Sequence, residues 1–97
     1  MFQVDWTESA SQQRIDILEF WIEHNQSETY SKKIFAETLV AEQLLKENPL
    51  IGTLTDLDKI RRILILRNFS MFYTVENQII QILAFYDNRQ NQDEFTI

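Results

Sequence analysis

The side chains that could carry chemistry in this chain are few, and most of them are arginines, tyrosines and carboxylates. There is no cysteine, which excludes disulfides, thiolate metal sites and a cysteine nucleophile. The single histidine, His24, cannot form a metal site alone and lies near a predicted helix end, where histidines commonly bond to terminal carbonyls. Tyr86, Asp87 and Arg89 stand close together, and Asp87 and Arg89 are spaced to pair as a structural clip. We therefore expect neither a metal nor a cofactor.

A second group of charged residues is basic and lies in the middle of the chain. Between Lys59 and Val75 there are four basic residues and no acidic one. The whole chain has a formal net charge of −6, which argues against general nucleic-acid binding, because such binding needs a basic surface that releases counterions from phosphates. The sequence thus allows a local positive patch on an acidic protein.

The first half of the chain predicts one strand and two helices that would position these groups. Phe2–Trp6 alternates apolar and polar residues, the pattern of a short, half-buried strand. Thr7 is the expected N-cap of a helix that ends near Asn25. Ser27 is the expected N-cap of a second helix, which runs to about Asn48. So short a connection between two helices predicts an antiparallel helical hairpin.

The second half predicts three strands. Pro49 stops the second helix, and Gly52 is expected to supply a flexible turn. Ile60–Leu66, Phe69–Val75 and Ile79–Tyr86 are rich in apolar residues and predict a three-stranded antiparallel meander. Because Ile60–Leu66 is almost continuously apolar, both its faces should be covered, one by the helical hairpin and the other by a partner or a cleft. The expected fold is α+β, ordered β-α-α-β-β-β, with the helices on one face of the sheet.

The length and composition predict one domain over residues 1–97, with a polar tail at 90–97 whose order the sequence leaves open. No apolar run approaches the roughly 20 residues that span a bilayer. Asp5 and Glu8 interrupt the N-terminal apolar residues, which is not typical of a signal peptide. We expect a cytoplasmic protein that does not contact a membrane.

Five short motifs follow one another in an order that is typical of a known family. They are Trp6-Thr7 with Ala10, Asn48-Pro49-Leu50-Ile51-Gly52, Ile60-Arg61 with Ile63 and Ile65, Met71-Phe72-Tyr73-Thr74-Val75, and Asp87-Asn88-Arg89-Gln90. With the order of the elements, they resemble the RelE/ParE toxin superfamily, and the last motif resembles the ending of a branch labelled plasmid-stabilisation proteins. The resemblance covers the whole chain. It implies the toxin of a bacterial type II toxin–antitoxin system.

The resemblance implies two toxic activities and leaves a third role open. A ParE-like toxin binds and inhibits a DNA topoisomerase such as gyrase, which needs no catalytic set and suits a chain with few catalytic candidates. A RelE-like toxin cuts ribosome-bound mRNA without a metal. The third role is that of a degenerate, non-toxic member that acts only as an interaction protein. The acidic charge and Gln92, where that branch usually has proline, are departures from the family that weaken the expectation of an intact activity.

Under the ribonuclease hypothesis the resemblance implies particular roles for the residues introduced above. Arg61 resembles the arginine that begins a strand in the family, and Arg89 resembles its C-terminal basic position. Either cation would stabilise charge on the phosphorane, and Tyr73, Tyr86 or Asp87 would transfer protons. The alternative is that Arg61 only flanks a core strand and that Tyr73 is a core tyrosine with a satisfied hydroxyl.

The resemblance also implies a cognate antitoxin, which would lay a helix or an extended segment across the helical hairpin and the sheet. Phe20, Phe35 and Leu39 fall outside the tightest helical stripes, so they are the candidate antitoxin contacts. The alternative is that these three side chains only broaden the core. In the absence of antitoxin, the same surface could join two copies in a homodimer.

Overall fold

The structure is a computed structural model that describes residues 1–90, and its elements confirm the predicted α+β class. In chain order they are β1 (Gln3–Trp6), α1 (Glu8–Asn25), α2 (Thr29–Glu47), β2 (Thr53–Leu54), β3 (Arg61–Ile65), β4 (Phe69–Glu76) and β5 (Ile79–Asp87). The sequence did not predict β2, because two residues are too few to show a periodicity. The predicted polar tail, apart from Gln90, lies outside the described residues.

The sheet is mixed, with the strand order β1-β5-β4-β3-β2. The predicted antiparallel meander is β3, β4 and β5. The N-terminal strand β1 runs parallel to β5, and Trp6 lies opposite Ile82. The first and last strands are therefore neighbours. The two helices connect β1 at one edge of the sheet with β2 at the other edge.

The two helices begin at differently built caps. Thr7 is the predicted N-cap of α1, and its hydroxyl accepts a 3.0 Å hydrogen bond from the Ala10 amide. The prediction of Ser27 as the N-cap of α2 was wrong by one residue, because Glu28 occupies that position without a side-chain capping bond. The Ser27 hydroxyl accepts instead from the Thr29 amide at 3.2 Å, so it orders the approach to the helix.

Gly52 is required by a close contact and not by the turn that the sequence suggested. Gly52, the single glycine of the chain, does not have a positive φ. The Tyr73 hydroxyl accepts from the Gly52 amide and donates to the Pro49 carbonyl, both at 2.8 Å. A Cβ on Gly52 would stand 2.6 Å from the Tyr73 hydroxyl oxygen. The loop after α2 is thus bound to the sheet through a fully buried tyrosine.

The core lies between the helices and one face of the sheet. Its centre comprises Ala10, Ile17, Ile34, Ala41 and Leu45 from the helices and Ile65, Phe69, Met71, Tyr73, Ile80, Ile82 and Phe85 from the strands. A bulge in the β4–β5 ladder lies between Phe72 and Tyr73. Beyond it, the Phe85 amide donates to the Gln13 side chain of α1 at 2.9 Å, so a helix satisfies a backbone group that β1 does not reach.

The second face of β3 is the one that the sequence analysis assigned to a partner or a cleft. Ile63 and Ile65 point towards the core, and the alternating residues Arg62 and Leu64 point away from it. No helix or strand within residues 1–90 packs over this second face, and Leu64 is 48% exposed. Two helices suffice for only one face of a five-stranded sheet, which an apolar run in the sequence does not reveal.

Gly52→Ala should destabilise the fold by about 2 kcal/mol, because Tyr73 is bonded on both sides and cannot move away from a new methyl group. Urea unfolding measures this, with Thr53→Ala, at the exposed neighbouring residue, as the control. Tyr73→Phe removes the hydroxyl oxygen nearest the new methyl, so the double variant should lose less stability than the two single losses together. Additive losses would contradict the proposed steric cause.

Candidate functional site

Asp87 and Arg89 form the structural clip that their spacing suggested. One Asp87 oxygen accepts from the Arg89 amide at 3.0 Å and from Arg89 Nε at 2.9 Å. The other oxygen accepts from Arg89 Nη2 at 3.1 Å and from the indole N–H of Trp21 at 3.0 Å. The Asp87 carboxylate is buried, and both of its oxygens are occupied by donors. It holds the end of β5 against α1.

The Arg89 guanidinium packs against aromatic rings on one side, while its side chain stays 40% exposed. Its carbon lies 4.5 Å from the Trp21 ring centroid and 5.2 Å from that of Phe69, and Nη2 donates to the Tyr30 hydroxyl at 3.3 Å. The hydrogen bonds to Asp87 raise the pKa of Arg89 above its ordinary value, and burial offsets part of this increase. Arg89 is therefore a fixed cation that neutralises Asp87 and cannot supply a proton at physiological pH.

Arg61 and Tyr73 belong to a second structural contact, at the opposite end of the sheet. Arg61 Nη1 donates to the carbonyls of Gly52 at 2.8 Å and Leu50 at 3.2 Å. Arg61 is opposite Tyr73 in the β3–β4 ladder, and burial raises the pKa of the Tyr73 hydroxyl. Both side chains bind the loop that follows α2, and the Tyr73 phenol stays neutral at physiological pH.

The candidate catalytic residues do not share one site. Ile65, Phe69 and Asp87 lie side by side across β3, β4 and β5, and Arg61 is four residues further along β3. The strand rise and strand spacing therefore separate Arg61 from Asp87 by on the order of 15 Å. Tyr86 is near Asp87 in sequence but lies on the face away from the helices, where its ring meets the Phe72 ring edge-on at 6.1 Å.

Arg14 forms a third polar contact, which sequence reasoning missed because its partners are far apart in the chain. Its guanidinium carbon lies 3.9 Å from the Trp6 ring centroid and 5.1 Å from that of Phe35. Its Nη1 donates to the Thr38 hydroxyl at 3.1 Å and lies 3.7 Å from a Glu42 carboxylate oxygen. Burial lowers the pKa of Arg14, and Glu42 partly offsets that effect. The contact joins β1 to both helices.

The three candidate antitoxin contacts are exposed, but they do not form one patch. Phe35 and Leu39 are one turn apart on α2, and the contact with Arg14 places Phe35 on the side that faces α1. Phe20 is on α1, about 120° around the helix from Arg14, and it stacks on His24 with the ring centroids 5.6 Å apart. Phe35 and Leu39 are therefore brought together, and Phe20 is on another flank.

Two further apolar side chains of α2, which the sequence analysis did not single out, are exposed. Val40 is 58% exposed and Leu44 is 40% exposed. They lie on the side of α2 away from Phe35 and Leu39, so this helix has apolar residues on nearly its whole circumference. A helix of that kind is normally buried on more than one side. We call Phe35, Leu39, Val40 and Leu44 the α2 apolar surface.

Within residues 1–90 there is no cluster of metal ligands and no helix that could span a membrane. No group of three or more histidine, aspartate or glutamate side chains there could hold a metal ion. Neither of the two helices is both long enough and apolar enough to cross a membrane.

Comparison with known proteins places these contacts in a family context. Residues 4–92 match the family described as the ParE toxin of type II toxin–antitoxin system, parDE. The fold is similar to a solved structure described as the chromosomal ParDE TA system from P. aeruginosa. The TM-score is 0.77 at 20% identity, over 90% of this chain and 96% of that chain, so the likeness shows the fold alone. No protein with a curated description matches the chain.

Asp87→Asn should reduce the free energy of unfolding by about 3 kcal/mol. The substitution leaves Arg89 beside a neutral amide, and the new amide nitrogen faces hydrogen-bond donors where a carboxylate oxygen accepted from them. Chemical denaturation followed by circular dichroism measures this. Asp58→Asn, at an exposed loop position, makes the same charge change and should alter stability by less than about 0.5 kcal/mol. Equal effects of the two variants would show that Asp87 contributes only through net charge.

Proposed function

Because the chain belongs to the ParE toxin family of type II toxin–antitoxin systems, we propose that it stops bacterial growth by binding a DNA topoisomerase in the cytoplasm. A cognate antitoxin would hold it inactive. Inhibition by binding requires an accessible surface and no set of groups arranged around a scissile bond. The described residues offer such a surface on α2.

The observation that carries this proposal is that the candidate catalytic groups already serve the fold. Asp87 accepts from Arg89 and Trp21, Arg61 donates to carbonyls of the loop after α2, and the Tyr73 hydroxyl is bonded on both sides. Metal-free RNA cleavage needs a base, an acid and a cation around one phosphate. These side chains are already hydrogen-bonded within the fold, and Arg61 lies about 15 Å from Asp87. Both observations favour a binding mechanism over cleavage.

The α2 apolar surface supports the proposal of an antitoxin. Its four side chains are each at least 40% exposed, and they lie on the side of α2 not buried in the core. Apolar groups that a monomer leaves exposed in a cluster commonly mark a protein interface. We infer that the antitoxin covers α2 with an amphipathic helix or an extended segment. Without antitoxin, two copies would pair through the same surface.

Expression of the chain without antitoxin should reduce thymidine incorporation before amino-acid incorporation, because a topoisomerase inhibitor blocks replication first. The purified protein should also inhibit supercoiling by DNA gyrase and leave mRNA on purified ribosomes intact. Pulse-labelling after induction is the measurement, and co-expressed antitoxin is the control.

If amino-acid incorporation failed first and mRNA were cut in phase with codons, the chain would be a ribonuclease and not a topoisomerase inhibitor. If neither incorporation changed while soluble protein accumulated, the chain would be a non-toxic member of the family.

Leu39→Asp and Val40→Asp should each weaken antitoxin binding at least about 30-fold, the equivalent of about 2 kcal/mol at the centre of an interface. Leu39 is a better test than Phe35, because Phe35 also contacts Arg14 and its replacement would disturb that structural contact. Titration calorimetry with purified antitoxin measures the affinity. Lys59→Asp, at an exposed position of the loop before β3 and away from α2, is the control and should bind almost normally. If neither Leu39→Asp nor Val40→Asp changed the affinity, the antitoxin would bind to another surface of the protein.

A further inference from the structure

A basic strip runs along β3 and into the turn after it, and its two β3 residues face away from the helices. It consists of Arg62 and Leu64 on β3 and Arg67 in the turn that follows, and all three side chains are exposed. The chain has 15 acidic residues, yet within residues 1–90 neither Arg62 nor Arg67 forms an ion pair. Two cations that form no ion pair with the described part of the chain thus lie on either side of one exposed leucine.

Leu64 gives the basic strip an apolar centre. It is 48% exposed and lies opposite Ser70 in the β3–β4 ladder, on the face that no helix or strand of the described chain covers. The strip follows one strand, so its length corresponds to about five residues of extended chain. A narrow line of charge, apolar group and charge fits an extended peptide better than a broad, flat protein surface.

The turn beside the basic strip has an unusual composition. Leu66 and Arg67 have φ values of 51° and 65°, in the left-handed region where glycine and asparagine are favoured. The other hairpin turn adopts similar angles with Asn77 and Gln78, an asparagine being the commoner choice there. Leu66 packs on the core, which fixes the turn and holds Arg67 next to the strand. Strained backbone that is held in place in this way often marks a functional surface.

We propose that the basic strip is a docking site for an acidic, extended segment of a protein partner, and that this site is separate from the α2 apolar surface. An acidic protein segment fits better than a nucleic-acid backbone, because carboxylates spaced along an extended peptide can pair with Arg62 and Arg67 while an apolar side chain between them covers Leu64. A phosphate backbone matches the two arginines but offers no apolar group to the leucine between them. The proposal holds whichever enzyme the toxin inhibits.

Fluorescence anisotropy with a short, labelled peptide rich in glutamate and with leucine at its centre tests the proposal on the full chain. The wild type should bind, and higher salt should weaken the complex. The double variant Arg62→Glu/Arg67→Glu should bind at least tenfold more weakly. Lys32→Glu/Lys33→Glu on α2 makes the same change in net charge and should bind within about twofold of the wild type, since those lysines lie on the helical layer. Circular dichroism checks the folding of each variant, and Leu64→Ser provides a neutral test of the same surface.

Several results would overturn the proposal. They are no binding by the wild type, equal loss in the two double variants, and tighter binding of a single-stranded oligothymidylate than of the peptide. Binding that appears only after Asp93→Asn/Glu94→Gln would assign the strip to the chain's own acidic residues. Self-association that Arg62→Glu abolishes would assign it to a second copy. The assay contains neither topoisomerase nor antitoxin, so its failure is distinguishable from a failure of the proposed function.

Discussion

A sheet of five strands with only two helices to cover it is the constraint on which the rest of the structure depends. The helices bury one face, and three polar contacts fasten them and their connections to the margins of that layer. Arg14 joins β1 to both helices, the Tyr73 hydroxyl binds the loop after α2, and Asp87 holds the end of β5 to α1. Each contact buries a polar group together with its partners, so the cost of removing that group from water is offset by hydrogen bonds.

The same constraint explains why the candidate catalytic side chains serve the fold. In a chain of 97 residues, the arginines, tyrosine and aspartate that could have formed a reaction centre are used to close the edges of the core. The surfaces that remain accessible are the α2 apolar surface on one side of the sheet and the basic strip on the other. These surfaces lie on opposite sides of the sheet, so one molecule can carry two kinds of contact without competition for the same atoms.

The sequence predicts the parts of this arrangement that depend on local patterns. Thr7 is recognisable as a cap from its position before an amphipathic segment, and Asp87 and Arg89 as a pair from their spacing. The role of Gly52 was not predictable, because it depends on a tyrosine 21 residues away. Arg14 was missed for the same reason. The apolar run of β3 does not show by itself which of its faces the helices cover, since it looks alike whether one layer or two will cover it.

Arg14 and Arg89 also have an optical consequence. The chain has two tryptophans, and each lies against one of these guanidinium groups, Trp6 at 3.9 Å and Trp21 at 4.5 Å. Trp6 shares its cation with Phe35 on α2, whereas Trp21 contacts Phe20 on α1. A nearby cation changes indole emission, so the protein carries two built-in fluorophores that report on separate flanks of the helical layer. Single-tryptophan versions would show, without an added label, which flank a partner reaches first.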